Sequence, residues 1–224
     1  IRDRVYAESV CNHVFSQRLT RDLGLSTHAI EVDLMPATAY VKEESAAGRV
    51  ASLLEFLSLK PRTHRVYLPP VYKDSLSFIY SGLDDKRELA VSDEALSSNS
   101  KSEIKTQLFS YAQVARLAVT DTGDDFEPAI RNEEITVRQQ GVSVIQVWLR
   151  LSSGSVGEAV EILRSRGYFL GGVLPRWFDD DGLLMQKIFI APSWEGIQIE
   201  YERARELLEI VRIDWEESAK NIID

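Results

Sequence analysis

The sequence predicts an α/β (α+β) domain built on a mixed, mostly antiparallel sheet flanked by helices, with a long helix at its C-terminal end. Three observations carry this. Short segments of strand alternation and of helical spacing follow one another along the chain. Two apolar runs, "YFLGGVL" and "LLMQKIFI", bracket the tip "PRWFDDDG" as a hairpin would. Finally, Trp194, Ile197, Tyr201, Ala204, Leu208, Val211 and Trp215 alternate steps of three and four, the apolar seam of one helix. That seam suits docking on the core of its own chain or pairing with a second copy.

The elements follow in order. Val5, Ala7 and Ser9 alternate with Tyr6, Glu8 and Val10, a strand period. Asn12 reads as the cap of the next helix and Gly24 as its stop. In "HAIEVDLMP", Ile30, Val32 and Leu34 point one way, and Glu31 and Asp33 point the other, toward solvent. "GRVASLLEFLSL" is a further strand, reached through "ATAYVKEESAAG" and its helical turn. "HRVYLPP" is a short strand ended by Pro69 and Pro70, after which Tyr72, Leu76, Ile79 and Leu83 keep helical spacing. The Ser-rich "SDEALSSNSKSE" reads as a mobile loop, and "IKTQLFSYAQVARLAVTDTG" as one bent strand or two. "DDFEPAIRNEEITVRQQG" is a helix with acids in its first turn. "VSVIQVWLRL" is a strand buried on both faces, and "SSGSVGEAVEILRSRGY" is a Gly/Ser turn with a helix ending at Gly167. Asp181-Gly182 is a dipeptide that favours a tight hairpin turn.

Composition excludes several function classes. The 224 residues are 44% hydrophobic, enough for a packed core. The net charge of −9 predicts no nucleic-acid partner, because such partners demand neutralised phosphates. No apolar run approaches the ~20 residues that span a bilayer, so no membrane role is expected. The single cysteine, Cys11, forbids an internal disulfide and fits the reducing cytoplasm. Cys11 and His13 lie two apart, but nothing orients the imidazole, and His13, His28 and His64 lack metal-ligand spacing. No metal is therefore expected. "IRDRVYAESV" opens without Met and close to a strand, which reads as a fragment of a longer protein.

The chain also repeats itself. "FSQRLTRDLGLSTHAIEVDLM" and "GEAVEILRSRGYFLGGVLP…DGLLMQKI" are each a Leu-bearing helix, a Gly stop and two strands, preceded by a strand. Setting Gly24 on Gly167 places Leu19 on Ile162.

The unit of strand, helix, "ILRSRGYFLGG", strand and "LLMQKI" resembles the C-terminal half of the Gcn5-related N-acetyltransferase (GNAT) superfamily, as does "LTRDLGLSTHAIEVDLMP". The resemblance implies an acetyltransferase-like fold in a larger bacterial signalling protein. Residues 1–65 would then be the C-terminal half of a first unit, and 66–224 a second unit with the C-terminal helix. It implies acetyl-CoA as cofactor, held at a Gly-rich turn after the fourth strand. The matching stretch, "VTDTGDDFEPAIRNEE", has Gly123 followed by Asp124, Asp125 and Glu127, acids that repel a pyrophosphate. The family often uses a Tyr to protonate the leaving thiolate; the matching positions hold Leu163 and Thr20.

Two candidate sites emerge. Ser152, Ser153, Gly154, Ser155 and Gly157 lie between a buried strand and a helix, where a phosphate or a CoA amide could dock, or where Ser153 or Ser155 simply caps the helix. In the tip, Arg176, Trp177 and Phe178 with Asp179, Asp180 and Asp181 could border an acceptor site, the acids attracting an amine; Trp177 could instead pack on the C-terminal helix. The expectation is a catalytically degenerate acetyltransferase-like module binding a small ligand or a partner, foremost an upstream domain of the same protein. An active N-acyltransferase completed by an upstream segment, and a homodimerisation unit, are the alternatives.

Overall fold

The computed structural model describes residues 3–40, 48–83 and 86–220. An eight-stranded sheet has the order β1-β3-β2-β9-β10-β8-β7-β6. Its strands are β1 (Arg4–Val10), β2 (Ser26–Pro36), β3 (Arg49–Ser58), β6 (Glu103–Phe109), β7 (Val114–Asp121), β8 (Val144–Arg150), β9 (Phe169–Leu174) and β10 (Gly182–Ile188). β7 and β8 pair in parallel, and the other neighbours pair antiparallel. A separate parallel pair joins β4 (His64–Leu68) to β5 (Arg87–Val91). Among the described residues five α-helices accompany them: α1 (Phe15–Asp22), α2 (Lys73–Tyr80), α3 (Phe126–Gln139), α4 (Val156–Ser165) and α5 (Glu202–Lys220). This is the mixed, mostly antiparallel architecture with a long C-terminal helix that the sequence predicts. Part of the joining segment "ATAYVKEESAAG", residues 41–47, lies outside the described residues.

Alternation decides which side chains meet the helices. Ile30, Val32, Leu53, Val147, Leu149 and Met185 share one core with Phe126, Ile130, Leu163 and Val211 of the helices. The other face gathers Ala29, Leu54, Phe56, Trp148, Leu174 and Leu184 under Trp177 and Phe178. The C-terminal seam docks on its own chain. Ala204 and Val211 are buried, the Trp194 ring meets the Trp215 ring at a tilt of 59° with centroids 5.4 Å apart, and α5 packs on β9 and β2. A homodimer would therefore need another surface. The helix also starts later than the seam suggests, at Glu202, with Trp194 in a short 3-10 turn.

The two strand–helix–hairpin segments match residue by residue. Gly24 and Gly167 both take positive φ, 82° and 84°, where a side chain would be strained. Leu25 N donates to Thr20 O at 3.0 Å, and Tyr168 N donates to Leu163 O at 3.0 Å. Thr27 opposes Glu55 and Ala29 opposes Leu54, while Leu170 opposes Met185 and Gly172 opposes Leu184, so both hairpins bulge at the same place. The two halves meet where β2 touches β9, at Ala29 opposite Gly172, which are themselves equivalent positions. Beyond that point the Gln186 side chain stands in for strand pairing: Nε2 donates to Ile30 O at 3.0 Å, and Oε1 accepts from Val32 N at 2.9 Å.

Candidate functional site

The turns leading into α3 and α4 are where the sequence points for a cofactor, and the chain itself covers both. The Ser-rich loop is not loose. At α4, Ser92 Oγ donates to Gly154 O and accepts from Gly157 N at 2.8 Å, and Glu94 N donates to Gly154 O at 3.1 Å. Leu96 N then donates to Glu158 Oε2 at 2.7 Å. At α3, Asp124 N donates to Ser97 O at 3.0 Å, Gly123 N to Ser102 Oγ at 3.0 Å, and Ser102 N to Asp125 Oδ1 at 2.8 Å. A Cβ at Gly123 would fall on the Ser100 carbonyl, and one at Gly154 on the Glu94 carboxylate. The glycines thus admit the chain's own loop. The amides of Gly123, Asp124 and Gly157 are thereby engaged by the chain itself and not free for a phosphate. Ser153 and Ser155 bond each other at 2.8 Å, and Ser155 lies 3.5 Å from Thr122. Val114–Val119 pair continuously with Val144–Leu149 between these turns.

The tip 175–181 is a longer connection than a two-residue turn, with Arg176 and Asp179 at positive φ. Its three acids do not act together. Asp181 is fully buried: its carboxylate accepts from Arg87 Nε at 2.5 Å, His64 Nε2 at 3.1 Å and Arg176 N at 2.8 Å. Burial pushes that carboxyl up, but the His64 and Arg87 hydrogen bonds outweigh it and hold it well below the usual carboxylate range. Asp180 pairs loosely with Arg62 at 3.8 Å, and Asp179 is the exposed one. Trp177 does not reach the C-terminal helix; it packs edge-on to Trp148 at 4.5 Å and to Tyr6 at 5.1 Å. Arg176 and Asp179 line a cavity of about 430 Å³ with Asp3, Arg4, Val5 and Tyr6.

Sequence alternation places Glu31 and Asp33 on a solvated face, yet both are fully buried. Glu31 lies on the Trp148 face, where Gln146 Nε2 donates to its Oε1 at 2.7 Å and Arg116 Nη2 at 3.2 Å. Arg116 in turn lies over the Trp148 ring at 3.8 Å. Burial first, then the charge of Glu8, pushes the Glu31 carboxyl up to about 7 against the pull of Arg116 and Gln146. A raised folded-state pKa gives stability that is full below the unfolded value and is lost as pH rises through about 7. Glu31→Gln should therefore gain on the parent chain as pH rises from about 4.5 to above 7, by up to about 3 kcal/mol. Denaturant midpoints of both proteins across that range check this; a difference independent of pH contradicts it.

Asn12 does not cap α1, which starts at Phe15. Among the described residues no group of three His, Cys, Asp or Glu converges on a metal position, and no helix is long and apolar enough to cross a membrane.

Comparison with known proteins adds one likeness. No family model matches, and no curated protein matches. Among solved structures, the crystal structure of Ard1 from Thermoplasma volcanium is similar over 40% of this chain and 63% of that chain. The sequence identity is 15% and the TM-score 0.29. The match spans less than two thirds of the Ard1 chain.

Proposed function

We propose that this chain is a catalytically degenerate acetyltransferase-like module that binds a ligand or partner within a larger signalling protein. The observation that carries the reading is the occupation of both helix-entering turns by the Ser92–Ser102 segment. The order strand, α3, β8, α4, β9, β10 is the one the sequence resemblance implies, while the turn amides that would hold a pyrophosphate are used internally. Leu163, at the place of the family's Tyr, is buried in the apolar core and has no proton to donate. Acetyl-CoA titrated into the chain is expected to give no binding heat.

The repeat supports the division into 1–65 and 66–224 and the upstream partner. In the second half, β7 lines the outer edge of β8, and α3 packs on α4, with Glu134 of α3 paired to Arg166 just after α4. In the first half, β1 is an edge strand, α1 exposes Phe15 and Leu19, and Leu23 just after it is exposed too, with Leu23 equivalent to Arg166. An exposed row of large apolar side chains at i, i+4, i+8 beside an open strand edge is a docking surface. A strand–helix unit of the β7–α3 kind, leading into β1 as α3 leads into β8, fits it. On this reading the upstream domain supplies that unit. The seven-residue tip, with Arg176 and Asp179 beside β1, lies at the same edge strand.

A further inference from the structure

The repeat lets one half of the molecule serve as a control for the other. Four side chains that converge in the second half, Leu149, Leu163, Leu170 and Met185, are fully buried and apolar. Their equivalents in the first half are Ser9, Thr20, Thr27 and Glu55. The same backbone frame therefore folds around four apolar groups, and burying a carboxylate there instead costs free energy. The polar quartet is not a requirement of the fold.

The quartet forms the floor of a cavity. Ser9 Oγ donates to Glu55 Oε2, as does Thr20 Oγ1 at 2.6 Å, and Thr27 Oγ1 donates to Oε1 at 3.4 Å. Glu55 lines a pocket of about 350 Å³ together with Leu25, Ser26, Tyr201, Glu202, Ala204 and Arg21. That volume lies within the roughly 300–1,000 Å³ of small-molecule sites. Ser9 and Thr20 make their shortest bonds to Glu55, with Gln17 O at 3.0 Å and Ser16 O at 3.1 Å as further acceptors around Thr20 Oγ1, so the floor is rich in lone pairs and asks for a donor. Among the described residues, Oε1 takes the long Thr27 bond alone, which leaves it the freer oxygen. Leu25, Ala204 and the Tyr201 ring give the walls apolar surface, Ser26 and the Glu202 carboxylate add acceptors, and the Arg21 guanidinium lies over the Tyr201 ring at 3.9 Å. Arg203, also at the pocket, directs its guanidinium to Phe78 O and Ile79 O, both at 2.8 Å. Burial raises the Glu55 carboxyl, and the Ser9, Thr20 and Thr27 hydroxyls pull it back toward the ionised form.

We propose that this pocket binds a small organic cation, a primary amine on a compact apolar body, with its ammonium on Glu55. The inference names a ligand class for the ligand-binding part of the function above. It stands on the pocket and not on the closed turns, so acetyl-CoA binding would leave it untouched.

Benzylamine is the probe, titrated into the whole chain while backbone amide NMR shifts are followed. Saturable shifts at Ser26, Thr27 and Ala204 are expected, weakened at least tenfold in Glu55→Gln. Ser26→Phe, which blocks the pocket and keeps the Glu55 network, should abolish them and serves if Glu55→Gln does not fold. Shifts that never saturate, or that persist unchanged in the variant, overturn the proposal. So does preferential binding of benzoate, which would assign the pocket to the arginines at its rim.

Discussion

Replacing Gly172 with alanine is expected to cost at least about 4 kcal/mol, enough to leave little folded protein. Gly172 takes φ of 132°, a region that side chains rarely enter. A Cβ there would fall on His28 O and come within 2.6 Å of Ala29 Cα. These are backbone atoms, and they cannot swing aside as a side chain can. The position is also the one register point at which β2 pairs with β9, so relief of the clash means parting the two halves of the sheet. Parting them exposes Ala29, Leu54, Leu174 and Leu184 and strips Gln186 from Ile30 and Val32. Thermal and denaturant unfolding of the variant measure this. A loss near 1 kcal/mol, the ordinary size for a point substitution, would show that the junction is pliable.

Asp181→Asn is the second large effect, expected to cost about 3–5 kcal/mol near neutral pH. Asp181 is fully buried, and the Arg87 side chain facing it is 2% exposed. The variant keeps the shape and removes the charge that Arg87 and His64 face. The carboxylate's contribution is present above its unfolded pKa and is lost as pH falls through its depressed folded value. His64 is shifted the other way: its hydrogen bond to Asp181 raises its pKa, so its contribution is full below 6.5 and is lost as pH rises through the raised value. The gap between parent and variant should thus be widest in mildly acidic solution and narrow as His64 loses its proton. A gap that stays constant across neutral pH would mean that His64 takes no part.

These two residues also show what the sequence can and cannot say. Asp181-Gly182 reads locally as a turn dipeptide, but its role is set by His64 and Arg87, which are distant in sequence. Alternation correctly sends Glu31 away from Ile30 and Val32. It cannot tell that Gln146, Trp148 and Trp177 close the second face as well. The Ser-rich composition of 92–102 signals a poor core former, whereas its order comes from long-range bonds to Gly157 and Gly123. β5, "RELAV", carries two charges in five residues and no alternation, so it becomes a strand only through pairing with β4. The Gly stops, the helical seams and the buried strand β8 were legible because they depend on local periodicity. The repeat was visible in the spacing of Gly24 and Gly167. The polar quartet around Glu55 was not, because its members are equivalent to apolar residues only once strand register is known.

The central claim is that the chain has closed its own acyl-CoA cradle, and calorimetric titration of acetyl-CoA into the 224-residue chain tests it most directly. The account predicts no binding heat, because the amides of Gly123, Asp124 and Gly157 are engaged by Ser102, Ser97 and Ser92. Saturable binding at micromolar affinity would contradict it and would mean that the Ser92–Ser102 segment yields to the cofactor.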